Sequence, residues 1–124
     1  MKLTNAEEQV MRYLWKLEKA YMKNIMEAFS EPKPAATTVA TLLKRMIDKK
    51  FVGYNQHGSN REYYPLVKMT DYCNNNLKGM IKDFFNDSAS QFASFFTSGT
   101  NLSEKELNEL KKIVEQQIKM RKKC

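Results

Sequence analysis

The residues best suited to chemistry in this chain lie between Ala35 and Ile47, where three threonines stand beside two cations. At 3.6 residues per turn, these five side chains fall away from the apolar positions of the same segment. Threonine is β-branched and a mediocre helix former, and an ordinary surface helix carries Glu and Lys on its outer face instead. Short hydroxyls next to cations suit close contact with a polyanion. We therefore predict a DNA-reading surface made of Thr37, Thr38, Thr41, Lys44 and Arg45.

A helix and a hairpin are predicted to position this surface. The opposite side of the segment is an apolar stripe, which predicts a helix from about Ala36 to Lys49 with the core behind it. Two runs of strand-forming residues follow, Phe51–Tyr54 and Arg61–Tyr64, and the polar turn between them contains a glycine. Because a helix followed by a hairpin is typical of a winged helix, we predict that fold. The stripe consists of Val39, Leu42, Leu43, Met46 and Ile47.

The positive charge of the chain is concentrated in the same region. The net charge is +7, and the stretch from Lys33 to Arg61 holds six cations and one anion. Clustered cations gain affinity for duplex DNA by releasing condensed counterions. Surplus lysine by itself also fits a solvated surface, so charge alone leaves both interpretations open. If the region binds DNA, the predicted phosphate contacts are Lys44, Lys49, Lys50 and Arg61.

The segments before this helix complete a small helical domain. Thr4 and Glu7 form a capping-box pattern that starts a helix reaching about Lys19. A short second helix is predicted near Met22 to Phe29, and two prolines then break the chain. Along the alternating strand positions, Tyr63 and Tyr64 are predicted as one core ring and one surface ring. The first helix is predicted to bury one side, formed by Ala6, Val10, Tyr13, Leu14 and Leu17.

Two apolar helical segments follow the hairpin. The first is predicted as one long helix over 70–96, with Gly79 and the polar stretch 86–88 as the places where it could bend or break. The second begins with a Ser103–Glu106 capping box and reaches about Met120. These faces either fold back on the winged helix or form a dimerisation arm. We favour the arm, because a small helix-turn-helix unit needs two half-sites to bind an operator specifically. The predicted domains are 1–67 and 68–124, and the predicted dimerisation residues are Leu77, Met80, Ile81, Phe84, Phe85, Phe92, Phe96, Leu107, Leu110, Val114 and Ile118.

Other classes of protein find little support in the sequence. No Ser/His/Asp or Cys/His set is apparent, and the single histidine, His57, falls in the predicted turn, so catalysis is not expected. Cys73 and Cys124 are far apart, which fits neither a disulfide framework nor a zinc site, and no cofactor is expected. No apolar run approaches the roughly 20 residues of a membrane span. Because no signal peptide is recognisable either, a cytoplasmic protein is expected.

Four motifs in order along the chain resemble the penicillinase-repressor family (BlaI/MecI/CopY-type transcriptional regulators). Thr4-x-Ala6-Glu7-x-x-Val10-Met11-x-x-Leu14-Trp15 is similar to the first helix of that family. Thr38-Val39-x-Thr41-Leu42-Leu43-x-Arg45-Met46 resembles its recognition helix. Phe51-Val52, Tyr63-Tyr64 and Leu66-Val67 resemble the wing and the step into the dimer domain, and Leu102-Ser103-x-x-Glu106-Leu107-x-x-Leu110 resembles the final helix.

The resemblance implies a homodimeric repressor with an N-terminal winged helix, a helical dimer domain and a double-stranded DNA operator. It maps Thr38, Thr41 and Arg45 onto matching recognition-helix positions, whereas Thr37 and Lys44 come from the helical face alone. In the β-lactam branch of the family, a membrane-bound sensor protease triggers cleavage within the dimer domain. Here Phe95-Phe96 or Ser94-Phe95 occupies that region, where some members have Asn-Phe.

Two further differences from the family pattern bear on function. Ala40 stands where family members often have Arg, so the chain is expected to read a somewhat different operator. The paired Cys-x-Cys motifs of the copper-responsive branch are missing near the C-terminus, so copper sensing is not expected. The alternative hypothesis is a winged-helix protein-interaction module that reads no specific DNA. In that case the aromatic face formed by Phe84, Phe85, Phe92 and Phe96 would bind a different protein.

Overall fold

The structure, a computed structural model, describes residues 2–123. It is mostly helical with a small three-stranded antiparallel sheet, as the sequence predicts. Two compact units are present, one ending at Asn74 and the other beginning at Asn75. The elements in chain order are α1 (Asn5–Leu17), β1 (Ala20–Tyr21), α2 (Met22–Ala28), α3 (Ala36–Asp48), β2 (Val52–His57), β3 (Asn60–Pro65), α4 (Met69–Phe84), α5 (Ala89–Gly99) and α6 (Glu104–Lys122).

The core of the N-terminal unit lies between α1, α2, α3 and the sheet. The predicted stripe of α3 is confirmed, with Val39, Leu43 and Met46 buried and the other two members half-buried. The predicted face of α1 is partly wrong, because Ala6 and Leu17 are exposed. The face that α1 buries instead consists of Glu7, Val10, Met11 and Leu14. A charged residue thus occupies a position that a hydrophobicity pattern assigns to solvent.

The sheet has the order β1-β3-β2, and β1 is a short strand that the sequence pattern does not predict. The hairpin is longer than predicted, since the ladder runs from Val52 opposite Pro65 to His57 opposite Asn60. Only Gly58 and Ser59 remain in the turn, where Gly58 has a φ of +61° that suits glycine. Pairing of polar residues across the ladder adds this length, because backbone hydrogen bonds do not require apolar side chains.

The two tyrosines of β3 divide as predicted. Tyr63 is buried in the core, whereas the ring of Tyr64 is half-buried and lies over its cross-strand neighbour Gly53. A Cβ at position 53 would lie 2.8 Å from the Tyr64 ring, so any residue larger than glycine would displace the ring. Trp15 also packs at the edge of the core, and its Nε1 donates to the carbonyl of Val67 at 2.8 Å.

The first turn of α4 belongs to the N-terminal unit. Tyr72 is buried, with its ring 5.6 Å from Trp15 and 5.8 Å from Phe51, and its hydroxyl donates to Glu8 Oε2 at 2.7 Å. The contacts of this side chain explain why the compact unit extends to Asn74, beyond the predicted domain end at residue 67.

The C-terminal unit contains the rest of α4 together with α5 and α6. The predicted long helix is interrupted at residues 85–88, which include the polar stretch, whereas α4 continues through Gly79. Asn86 and Asp87 have φ values of 53° and 60°, a left-handed conformation that Asn and Asp tolerate better than most residues. Ser88 then caps α5 by accepting from the Gln91 N–H, and Ser103 and Glu106 form the predicted capping box of α6.

Aromatic contacts link the break to α5. The ring of Phe85 lies 5.7 Å from Phe92 and 5.4 Å from Phe95, and Phe92 stacks on Phe96 at 6.0 Å. No described residue of α5 or α6 is buried. Phe84 is 78% exposed, and large apolar side chains of α6 are half exposed. Since burying apolar surface is the main stabilising term in folding, exposed apolar faces of this size are typical of surfaces that bind another protein.

Candidate nucleic-acid interface

The exposed face of α3 is the centre of the candidate interface. Thr37, Thr38, Thr41, Lys44 and Arg45 are all exposed, so the structure brings the predicted reading residues onto one accessible surface. Ala40 is exposed among them. The buried side of the same helix packs against the core, so this surface faces outward.

The Thr41 hydroxyl has a defined orientation. Its Oγ1 donates to the Thr37 carbonyl one turn earlier, at 3.0 Å. Because a hydroxyl has one proton and two lone pairs, Thr41 keeps acceptor capacity and a methyl group for a ligand. It can therefore accept a hydrogen bond from an exocyclic amino group and contact a thymine methyl.

The wing, formed by β2, Gly58–Ser59 and β3, carries a positioned cation. The guanidinium of Arg61 lies 4.2 Å from the centroid of the Tyr54 ring, a cation–π contact between diagonal cross-strand neighbours. The contact restrains the long Arg side chain, while the residue stays exposed. At the tip, His57 Nε2 lies 3.3 Å from Glu62 Oε1, and the His57 ring packs edge-on against Tyr21.

A groove of about 560 Å³ separates the start of α2 from the wing. Its lining includes Lys23 and Asn24 from α2 and Ser59, Asn60 and Arg61 from the wing. Lys23 is a cation beside the interface that no sequence pattern indicates. The pairing of β1 with β3, which forms only in the folded chain, places the residues after Tyr21 next to the wing.

Lys50 lies in an unusual backbone conformation at the end of α3. Its φ is +67°, its N–H donates to the Ile47 carbonyl, and the Phe51 N–H donates to the Met46 carbonyl, both at 2.9 Å. Together these bonds form a Schellman motif, which satisfies the last carbonyls of the helix. The side chain of Lys50 is exposed and available to a ligand.

Lys49 and Lys33 point toward protein atoms. The amine of Lys49 lies 2.7 Å from Glu7 Oε1 and donates to the Lys2 carbonyl at 3.1 Å. Sequence reasoning assigns Lys49 to a DNA phosphate, but the structure directs its charge to a buried carboxylate. The amine of Lys33 donates to the Met26 carbonyl at the end of α2.

Comparison with known proteins identifies the family. The profile of the penicillinase repressor family matches residues 3–116. The chain belongs to the penicillinase repressor family. The penicillinase repressor of Bacillus licheniformis is 27% identical over 115 residues, which cover 92% of this chain and 90% of that protein. The methicillin resistance regulatory protein MecI of Staphylococcus aureus is 26% identical over 113 residues, covering 90% and 92% respectively.

A solved structure supports the fold of the N-terminal unit of this repressor-family chain. The solution structure of the DNA-binding domain of the repressor BlaI matches with a TM-score of 0.51 and 25% identity, covering 57% of this chain and 88% of that domain. The predicted winged helix is thereby confirmed, as is the predicted family. The family is one of transcriptional repressors and not of enzymes.

Within residues 2–123, His, Cys, Asp and Glu side chains form no group of three that could hold a metal ion. Over the same residues, no helix combines the length and apolar character needed to cross a bilayer. Cys73 is exposed on α4, and Cys124 lies outside the described residues.

Proposed function

We propose that this chain represses transcription by binding, as a homodimer, a palindromic operator in double-stranded DNA. The observation that carries the proposal is the exposed face of α3, where Thr37, Thr38, Thr41 and Arg45 surround Ala40 while the opposite face is anchored in the core. A helix held in this way can enter the major groove as a rigid element. Family membership and the similarity to the DNA-binding domain of BlaI support the proposal.

Each side chain has a role that follows from its chemistry. Arg45 offers the paired donors that recognise guanine in the major groove, and Thr41 offers an acceptor and a methyl group. Thr37 and Thr38, in the first turn, suit phosphate or base-edge hydrogen bonds. Lys44, Lys50 and Arg61 supply phosphate contacts, which add affinity without reading sequence.

Dimerisation through the C-terminal unit supplies the second half-site. Every proposed dimerisation residue keeps exposed surface in the single chain, including Phe84 at 78% and Val114 at 56%. A second copy would bury these side chains by the symmetric pairing that is commonest in oligomers. Phe95, Ile113 and Met120 have similar exposure and extend the same proposal.

Induction by proteolysis is the remaining part of the proposal. Ser94, Phe95 and Phe96 lie in α5, and all three are exposed. Cleavage of Ser94-Phe95 or Phe95-Phe96 by a sensor-protease pathway would cut α5 within the aromatic cluster and separate Phe96 and α6 from Phe85 and Phe92. Each half-site reader would then bind alone and too weakly to repress. Incubating cells with a β-lactam and determining the fragment masses tests this, and intact chain under inducing conditions would contradict it.

The decisive experiment selects duplexes from a random-sequence library with the purified full-length chain. The expected result is an inverted repeat bound by two chains, with half-sites about one helical turn apart or a multiple of it. Arg45→Ala should lose selection at specific positions of each half-site. Selection of no sequence, with affinity governed by salt alone, would favour the protein-interaction module instead.

A further inference from the structure

The side chain of Glu7 is fully buried in the N-terminal unit, although it is charged. Its Oε1 accepts from the Thr4 N–H at 2.8 Å as the capping box of α1 requires. The same oxygen receives the Lys49 amine at 2.7 Å. Its Oε2 is buried without a hydrogen-bond partner among the described residues. The carboxylate therefore depends on one cation for most of its charge balance.

The charged form of this carboxyl is nevertheless the favoured one. Burial alone raises the pKa of Glu7, but hydrogen bonds from Lys49 and Thr4 and the positive charge of Lys49 outweigh burial and lower it. The Glu7 carboxyl is thus ionised at neutral pH. Breaking such a pair by removing one partner is strongly destabilising, because an unpaired charge stays buried.

The position of Lys49 gives the pair a mechanical consequence. Lys49 is the C-cap of α3, directly after the segment that carries the reading residues. Through its amine it joins the end of α3 to the first turn of α1 and to the carbonyl of Lys2. Apolar contacts along α1 and α3 resist separation of the helices, but they tolerate small slides and rotations. A directional bond at 2.7 Å resists both of these motions.

We propose that the Glu7–Lys49 pair sets the axial position and rotation of α3, so that Lys49 determines operator specificity without contacting DNA. This inference rests on the proposed DNA-binding function. A displacement of α3 by a fraction of an ångström moves Thr41 and Arg45 relative to the base edges, whereas phosphate contacts by flexible lysines adapt. Loss of the pair should therefore reduce specific binding and leave non-specific binding nearly unchanged.

Three variants separate positioning from direct contact. Lys49→Met and Glu7→Met each break the pair, and Glu7→Met leaves every cation in place. Lys50→Met is the matched control, because Lys50 is adjacent to Lys49 but exposed, and the proposed pair does not include it. Affinities for the selected operator and for a scrambled duplex are measured across a salt series, with the folded fraction followed by circular dichroism.

The expected results differ between the variants. Lys49→Met and Glu7→Met lower the ratio of operator to scrambled affinity by about tenfold, the size of one lost base contact. Their salt slope for the scrambled duplex equals that of the unmodified chain. Lys50→Met lowers both affinities and reduces the steepness of the slope by about one. A Lys49→Met variant that behaves like Lys50→Met shows a phosphate contact and overturns the inference.

A double variant covers the case in which single variants unfold. Glu7→Met with Lys49→Met removes both charges together, and buried pairs replaced in this way often keep their stability. It should fold, bind scrambled duplex normally and still lose operator selectivity. Full selectivity in this folded variant would overturn the positioning role. If the unmodified chain selects no operator, the proposed function itself fails, so the two failures are distinguishable.

Discussion

At the scale of single residues, the structure gives two charged side chains roles that their sequence positions do not indicate. The sequence position of Glu7 predicts a capping residue, and Glu7 does cap α1. Its buried carboxylate also pairs with Lys49, which lies 42 positions away in the chain. Lys49 and Lys50 are adjacent and chemically identical, yet one faces the core and the other faces solvent. The left-handed φ of Lys50 separates their directions.

The lowered pKa of Glu7 predicts an acid dependence of stability. A carboxyl whose pKa is lower in the folded state stabilises the fold above its ordinary pKa of 4.5 and loses that contribution as the pH falls through the lower pKa of the folded state. The melting temperature of the full chain should therefore fall on acidification below about pH 5. Glu7→Gln should melt at a lower temperature at neutral pH and show a flatter acid limb. Parallel acid limbs would contradict this assignment.

Removing the charge of Lys49 should lower the free energy of unfolding more than removing most surface charges. Lys49→Met leaves the Glu7 carboxylate buried and unpaired, so the free energy of unfolding should fall by about 3 kcal/mol. Exposed charges usually change stability by less than about 0.5 kcal/mol. Urea denaturation of Lys49→Met is compared with that of Lys44→Met, which removes an exposed charge. Equal denaturation midpoints for the two variants would show that the ion pair contributes no stability.

Lys50 offers a test of backbone strain at the end of α3. Glycine adopts its left-handed conformation without the steric cost that a Cβ carries, so Lys50→Gly should raise the free energy of unfolding by about 0.5–1 kcal/mol. Lys50→Ala removes the same charge and keeps the Cβ, which makes it the control. Both variants should lose the same phosphate contact and bind DNA more weakly. Equal stabilities of the two would exclude strain as the cause.

At the scale of elements, α3 combines a buried apolar face with an exposed face of short polar side chains. The periodicity of the segment predicts both faces, because helical spacing assigns them before any tertiary contact forms. The wing is less predictable. Its length depends on backbone pairing of polar residues, and β1 is only two residues long and exists through its pairing with β3.

Substitutions on the reading face should act on specific binding. Thr41→Ala or Arg45→Ala should weaken operator binding by about 1–3 kcal/mol per lost base contact and leave binding to scrambled duplex nearly unchanged. Thr41→Val keeps a methyl and removes the acceptor, so it isolates the hydrogen bond from the apolar contact. Gel shifts with both duplexes measure this. Unaltered operator binding by all three variants would contradict the assignment of α3.

At the scale of the whole molecule, the exposed apolar side chains of the C-terminal unit lead us to expect self-association. Phe84→Glu places a charge on a side chain that is 78% exposed in one chain, so it should prevent dimers while the N-terminal unit stays folded. Leu66→Glu is the control, because Leu66 is an exposed apolar residue of the N-terminal unit that lies outside the proposed dimer surface. Sedimentation equilibrium reports the mass. A dimeric Phe84→Glu chain would contradict the proposed surface.

The sequence by itself determined the family, the helical class and the two faces of α3. These properties depend on spacing and on local motifs, such as the capping boxes at Thr4 and Ser103, that act over a few residues. Only the tertiary structure decided the burial of Glu7, the inward direction of Lys49, the short strand β1 and the attachment of Tyr72 to the N-terminal unit. Each of these depends on contacts between residues distant in the chain. Hydrophobic periodicity does not indicate which oppositely charged side chains will pair in the folded chain.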